Sequence, residues 1–233
     1  DTTADAEAAM RSLRQIDKAR EHLGKQGQGK IRIHDPTLLE IGSLTVSSEM
    51  FISAATQAIK TGRFEDAEQA YRGAIAVNPD NPRAHVNLAE LLARRGALDE
   101  AESSAREALR LDPPSFFANF NLGHIFELRG ELTEAGRFFA KALDKDPGSV
   151  KANYRYAGVL MKTGQYAEAA ESNAKAAEFD ATVRESALYN RACALCLLGD
   201  LEGAEVALSE AFDAGFADFD LLFTDPDLAA IRD

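Results

Sequence analysis

The sequence predicts an all-α solenoid of five helix-turn-helix units closed by a C-terminal capping helix, and three ladders of residues predict it. Glycines fall at Gly62, Gly96, Gly130, Gly164 and Gly199, at intervals of 34, 34, 34 and 35 residues. Alanines follow each glycine at Ala67, Ala101, Ala135, Ala169 and Ala204, and recur seven residues later at Ala74, Ala108, Ala142, Ala176 and Ala211. Prolines close the first three units at Pro79, Pro113 and Pro147. A fixed period of this length marks stacked supersecondary units that bury their apolar faces against one another.

Each ladder has a physical reason if the unit is two antiparallel helices. The glycine sits where the first helix ends and the chain reverses, a place that favours positive φ and no Cβ. Two residues on stands an apolar anchor: Phe64, Leu98, Leu132, Tyr166 or Leu201. Alanines seven apart share one face of the second helix and let neighbouring helices approach closely. Proline cannot continue a helix, so it stops the second one. In the first helices, Leu88 and Leu92, Leu122 and Phe126, and Tyr156 and Leu160 form i, i+4 apolar pairs.

These residues resemble the tetratricopeptide-repeat family, whose unit is 34 residues long. The resemblance runs from Ser48 to Asp218, as units 48–81, 82–115, 116–149, 150–184 and 185–218. It implies a right-handed superhelix that binds a protein or peptide in its concave groove and has no catalytic activity of its own. Ala181 and Phe216 stand where the fourth and fifth prolines would fall, and one added residue between Ala181 and Arg184 makes the fourth interval 35. That junction is expected to be looser or differently twisted.

Residues 1–46 do not continue the ladders. Ala6 to Leu23 reads as a polar helix with Met10, Leu13, Ile16 and Leu23 along one side. Gly24 to Lys30 is a flexible break, and Asp35-Pro36 offers an N-cap for a short helix reaching about Glu40. This segment is expected to cap the solenoid or to act as an arm, with self-association as one use of it. In residues 219–233, Asp225-Pro226 starts a closing helix that carries Leu228, Ala229 and Ile231.

Composition narrows the function. Apolar residues are 45% of the chain and charged residues 27%, ordinary for a globular protein. Formal charge is −12, from 26 basic and 38 acidic residues, a field that repels phosphate backbones and anionic lipid. Nucleic acid is therefore not expected as a partner. Without a run of 18 apolar residues, direct membrane insertion is not expected either. The sequence opens on Asp1-Thr2-Thr3, so no secretory leader is expected within it. Two cysteines cannot build a disulfide framework, which leans towards a reducing setting such as cytoplasm or organelle stroma.

No motif points to an enzyme, a metal or a cofactor. Gly24 to Lys30 nearly fits a phosphate loop, but Ile31 replaces the magnesium-binding hydroxyl and no strand precedes it. Cys193 and Cys196 form a C-x-x-C pair without a second pair to complete a zinc site, and read as buried packing residues. His22, His34, His85 and His124 are scattered, with no catalytic signature beside them.

The expected site is the inner surface, which the resemblance implies is lined by first helices. The inward positions are Arg83, Asn87 and Glu90, then Phe117, Phe120, Asn121 and His124, then Lys151, Tyr154 and Arg155, then Tyr189 and Asn190. Amides pair with a peptide backbone, cations with carboxylates, and aromatic faces give contact area. Asn121, Lys151 and Arg155 match part of the family's carboxylate clamp, but Val86 and Glu90 stand at its other two positions, and Glu90 would repel the ligand. The expected protein is thus a non-catalytic interaction scaffold or adaptor. The alternative is a regulatory or substrate-recruiting domain of a larger enzyme such as a transferase.

Overall fold

A computed structural model describes residues 47–232. The expectations for residues 6–23, 24–30 and 35–40 lie outside the described residues. The chain divides into two compact units at Asp112 and Pro113, and among the described residues it has twelve α-helices and no strand. The first unit holds α1 (Ser48–Lys60), α2 (Phe64–Val77), α3 (Pro82–Arg94) and α4 (Leu98–Leu111). The second holds α5 (Phe116–Arg129), α6 (Leu132–Leu143), α7 (Val150–Lys162), α8 (Tyr166–Phe179), α9 (Arg184–Leu198), α10 (Leu201–Asp213), α11 (Phe219–Thr224) and α12 (Ala229–Arg232). Within each unit every helix from α1 to α10 packs against the next, giving the helix-turn-helix repeats of a solenoid.

The turns show why the glycine ladder exists. All five ladder glycines have φ between 73° and 88°, and a sixth, Gly215, has φ 107°. The residue two positions after each ladder glycine is the first of the second helix. Phe64 and Leu201 remain largely exposed there, so this position marks a helix start more than it anchors the core. Second helices end at Val77, Leu111 and Leu143, shortly before the prolines. The next helices are capped by side chains: Asn81 accepts from the Arg83 amide at 3.1 Å, and Ser115 from the Ala118 amide at 3.4 Å.

All ten ladder alanines are without solvent contact. A further small-residue ladder, missed in the sequence, lies on the first helices at Ala55, Ala89, Gly123, Ala157 and Ala192. Gly123 is required by its neighbour, since a Cβ there would fall 2.7 Å from the ring of buried Phe139.

The inter-repeat turns are held by buried polar side chains, also at the 34-residue period. The His85 Nε2–H donates to the Pro79 carbonyl at 2.8 Å. Asn119 donates to the Ser115 carbonyl at 2.8 Å, and Asn153 to the carbonyls of Pro147 and Ser149 at 2.8 and 3.0 Å. The Pro79 and Pro147 carbonyls thereby gain a donor that no backbone amide supplies, while the Ser115 and Ser149 carbonyls accept a side-chain bond in addition to one from the helix backbone. Asn173 differs: it occupies the place held 34 residues earlier by Phe139, is 1% exposed, and neither its amide nor its carbonyl has a protein partner.

The chain end is more broken than a single closing helix. After α11 comes a 3₁₀ turn, Pro226–Leu228, and then the four residues of α12. The start signal at Asp225 is real, with its carboxylate accepting from the Asp227 amide at 2.9 Å, but it opens the 3₁₀ turn. That turn inserts Leu228, which is fully buried against α9, and α12 packs on α10.

Two asparagines of like burial should therefore respond oppositely in urea unfolding. Asn153→Ala is expected to lose about 1–3 kcal/mol by leaving the Pro147 carbonyl without its donor. Asn173→Leu is expected to gain about 1 kcal/mol by removing unpaired polar atoms from the core.

Candidate functional site

The open surface of the second unit is built on three first helices, α5, α7 and α9. Phe117 begins it on α5, 64% exposed and edge-on to Phe116 at 5.2 Å. One turn on, Phe120 is buried, stacked on Phe116 at 5.9 Å and tilted against Phe139 at 5.6 Å. Lys151 of α7 lies over the Phe120 ring, with Nζ 4.9 Å from its centroid. The ring face offers the ammonium a partner that leaves its charge uncancelled.

Beside it, Tyr154 is 38% exposed, and its hydroxyl accepts from the Asn190 amide of α9 at 3.4 Å. Arg155 donates to Glu127 of α5 at 2.7 Å, which neutralises the guanidinium. The basic character of the surface thus rests on Lys151.

Glu127, Val150, Lys151, Tyr154, Arg155, Gly158, Asp180 and Val183 line a cleft of about 560 Å³. Gly158 forms an open part of it, since a Cβ there would meet nothing within 4 Å. Asp180 and Val183 belong to the turn between α8 and α9, where the 35-residue interval adds its residue. This turn is closed by hydrogen bonds instead of loosened. The Thr182 amide and hydroxyl each donate to Asp180 at 2.7 Å, holding its carboxyl below the usual carboxylate range. The Arg184 Nε–H donates to the Ala177 carbonyl at 3.0 Å.

The expected site residues are therefore only partly brought together. Lys151, Tyr154 and Arg155 share the cleft, Asn190 borders it through Tyr154, and Phe117 is open on α5. Asn121 is buried and His124 half-buried. Arg83 and Asn87 lie in the first unit, where Arg83 pairs with Glu49 at 2.9 Å and Glu90 with Arg94 at 2.6 Å. Glu127, Val150, Gly158, Asp180 and Val183 were missed, and the one signal for the last two was the longer interval.

Phe120 and Tyr189 are core residues and not groove residues, for reasons of packing. Tyr189 stacks on Phe216 at 4.4 Å and donates its hydroxyl to Asp225 at 2.6 Å, tying the closing segment to α9. Cys193 points its sulfur at the same carboxylate, at 3.8 Å. Burial, together with the charges of Asp225 and Asp227, pushes the Cys193 thiol well up.

Two family models described as tetratricopeptide repeat match residues 53–116 and 128–196, which together span more than half of the chain. The chain belongs to the tetratricopeptide-repeat family. Solved structures with the same fold include MamA, at 20% identity and TM-score 0.62, covering 69% of this chain and 93% of that one. YrrB, a TPR protein with an unusual peptide-binding site, is 18% identical at TM-score 0.65, covering 81% and 97%. PilF of Pseudomonas aeruginosa is 18% identical at TM-score 0.65, covering 80% and 85%. None of the curated proteins matches the chain in sequence. As a TPR protein the chain has the fold of a helical interaction scaffold, and no described helix is long and apolar enough to cross a membrane. Among the described residues no group of three or more His, Cys, Asp or Glu is placed to hold a metal.

The tyrosine latch makes a prediction for thiol chemistry, because only the thiolate reacts. In the native TPR protein at pH 8, Cys193 should resist a thiol reagent that labels the urea-unfolded chain fully. Tyr189→Phe should speed its labelling roughly tenfold by easing release of the closing segment, as read by peptide mapping.

Proposed function

We propose that the chain is a non-catalytic protein-interaction scaffold whose second unit binds an extended, acidic peptide segment in the cleft along α7. The observation that carries this reading is Lys151, exposed and held over the Phe120 ring with no carboxylate partner among the described residues. An acidic side chain of the peptide meets that ammonium. The Tyr154 ring, Val150 and Val183 give apolar contact, and the Asn190 amide serves the peptide backbone. Phe117 and the half-buried His124 extend the contact along α5, with Arg155 and Glu127 as a neutral wall. Arg83 and Asn87 provide contacts of the first unit to the same kind of ligand.

Peptides selected from a random library on the native chain test this directly. Lys151→Glu with Tyr154→Ala changes two exposed side chains, so helical content and melting should be preserved. Affinity for the selected peptides is expected to fall at least about tenfold. Unchanged affinity would refute the cleft as the binding site.

A further inference from the structure

Charge is distributed unevenly along this chain. Residues 199–233 carry ten of the 38 acidic residues and one of the 26 basic ones. That single cation, Arg232, is engaged with the Phe223 carbonyl. Residues 10–34 carry seven basic residues and two acidic ones, the most basic stretch of that length in the sequence.

The acidic end also presents an aromatic face. Phe219 and Phe223 lie one turn apart on α11, 55% and 70% exposed, and Phe219 stacks on the partly exposed Phe212 of α10 at 6.0 Å. Leu221 adds a further exposed apolar group, and the exposed carboxylates of Asp213, Asp218 and Asp220 lie around them in the sequence. Contiguous exposed aromatic surface of this kind marks a contact site. Pairing of two such faces would set carboxylates against carboxylates, so the face does not suit its own copy on another chain.

Its chemical complement is present in the same sequence. Met10, Leu13, Ile16 and Leu23 recur at helical spacing, interleaved with Arg11, Arg14, Lys18 and Arg20. We propose that residues 10–34 of one copy dock on the aromatic, acidic face formed by α10 and α11 of a second copy. The apolar side chains cover Phe212, Phe219 and Phe223, while the cations meet the surrounding carboxylates. This contact is heterologous, because the donating and receiving surfaces differ, so it leads to rings or open chains. It does not depend on the peptide cleft.

Sedimentation velocity on the full chain over a range of concentrations is the test. In low salt the average mass should rise above the monomer with concentration, and 0.5 M NaCl should return it towards the monomer. Arg11→Glu/Arg14→Glu/Lys18→Glu and, separately, Phe219→Asp/Phe223→Asp should each weaken association by about tenfold or more. Phe219 and Phe223 are exposed, and circular dichroism checks that both variants keep the fold. Lys151→Glu/Tyr154→Ala should leave association unchanged. A chain that stays monomeric overturns the proposal, as does association that survives either substitution set or is lost with the cleft variant.

Discussion

Close approach of helices at small side chains is the constraint on which the rest of this structure depends. Each second helix carries two alanines, seven residues apart and wholly shielded from water, and each first helix carries one more buried small residue. Interiors pack at crystal-like density, so the room available at one position is fixed by bulk at another. Gly123 and Phe139 show the coupling: the ring fills what the missing Cβ leaves. The positive-φ glycines then have one task, to reverse the chain within the short turn that such close pairing allows. Helix-on-helix contact repeated in this way buries an apolar face that no single pair could bury alone.

Polar atoms finish what the alanines begin. At the inter-repeat turns, His85, Asn119 and Asn153 send side-chain donors to backbone carbonyls. The same residue type placed one layer away, at Asn173, has nothing to bond and replaces an aromatic ring. Whether a buried asparagine helps or harms is thus decided by its position relative to a turn, and not by its burial. The closing segment follows the same rule, since Asp225 caps its own 3₁₀ turn while accepting from Tyr189.

The helix pairs were legible in the sequence because glycine, alanine and proline have strong positional physics that repeats. The polar ladder was not, because it runs through only three units, changes from histidine to asparagine, and polar side chains carry no mark in the sequence that they are buried. The site was legible in part. Lys151, Tyr154 and Arg155 were placed by the family resemblance and their offsets from the loop glycines, and the cleft gathers them. Spacing could not show that Phe120 and Tyr189 turn into the core, nor that Glu127 cancels Arg155, since both follow from contacts between helices. The added residue before α9 read as a looser or differently twisted junction, and its turn is hydrogen-bonded and forms a wall of the cleft.

The central claim is that this scaffold works through the cleft along α7. Hydrogen–deuterium exchange with and without a saturating, library-selected peptide tests it most directly. Amides within and beside residues 127, 150–158 and 180–183 should exchange more slowly in the complex, while those of α10 and α11 keep their rates. Protection that falls on α10 and α11 and spares α7 would contradict the account.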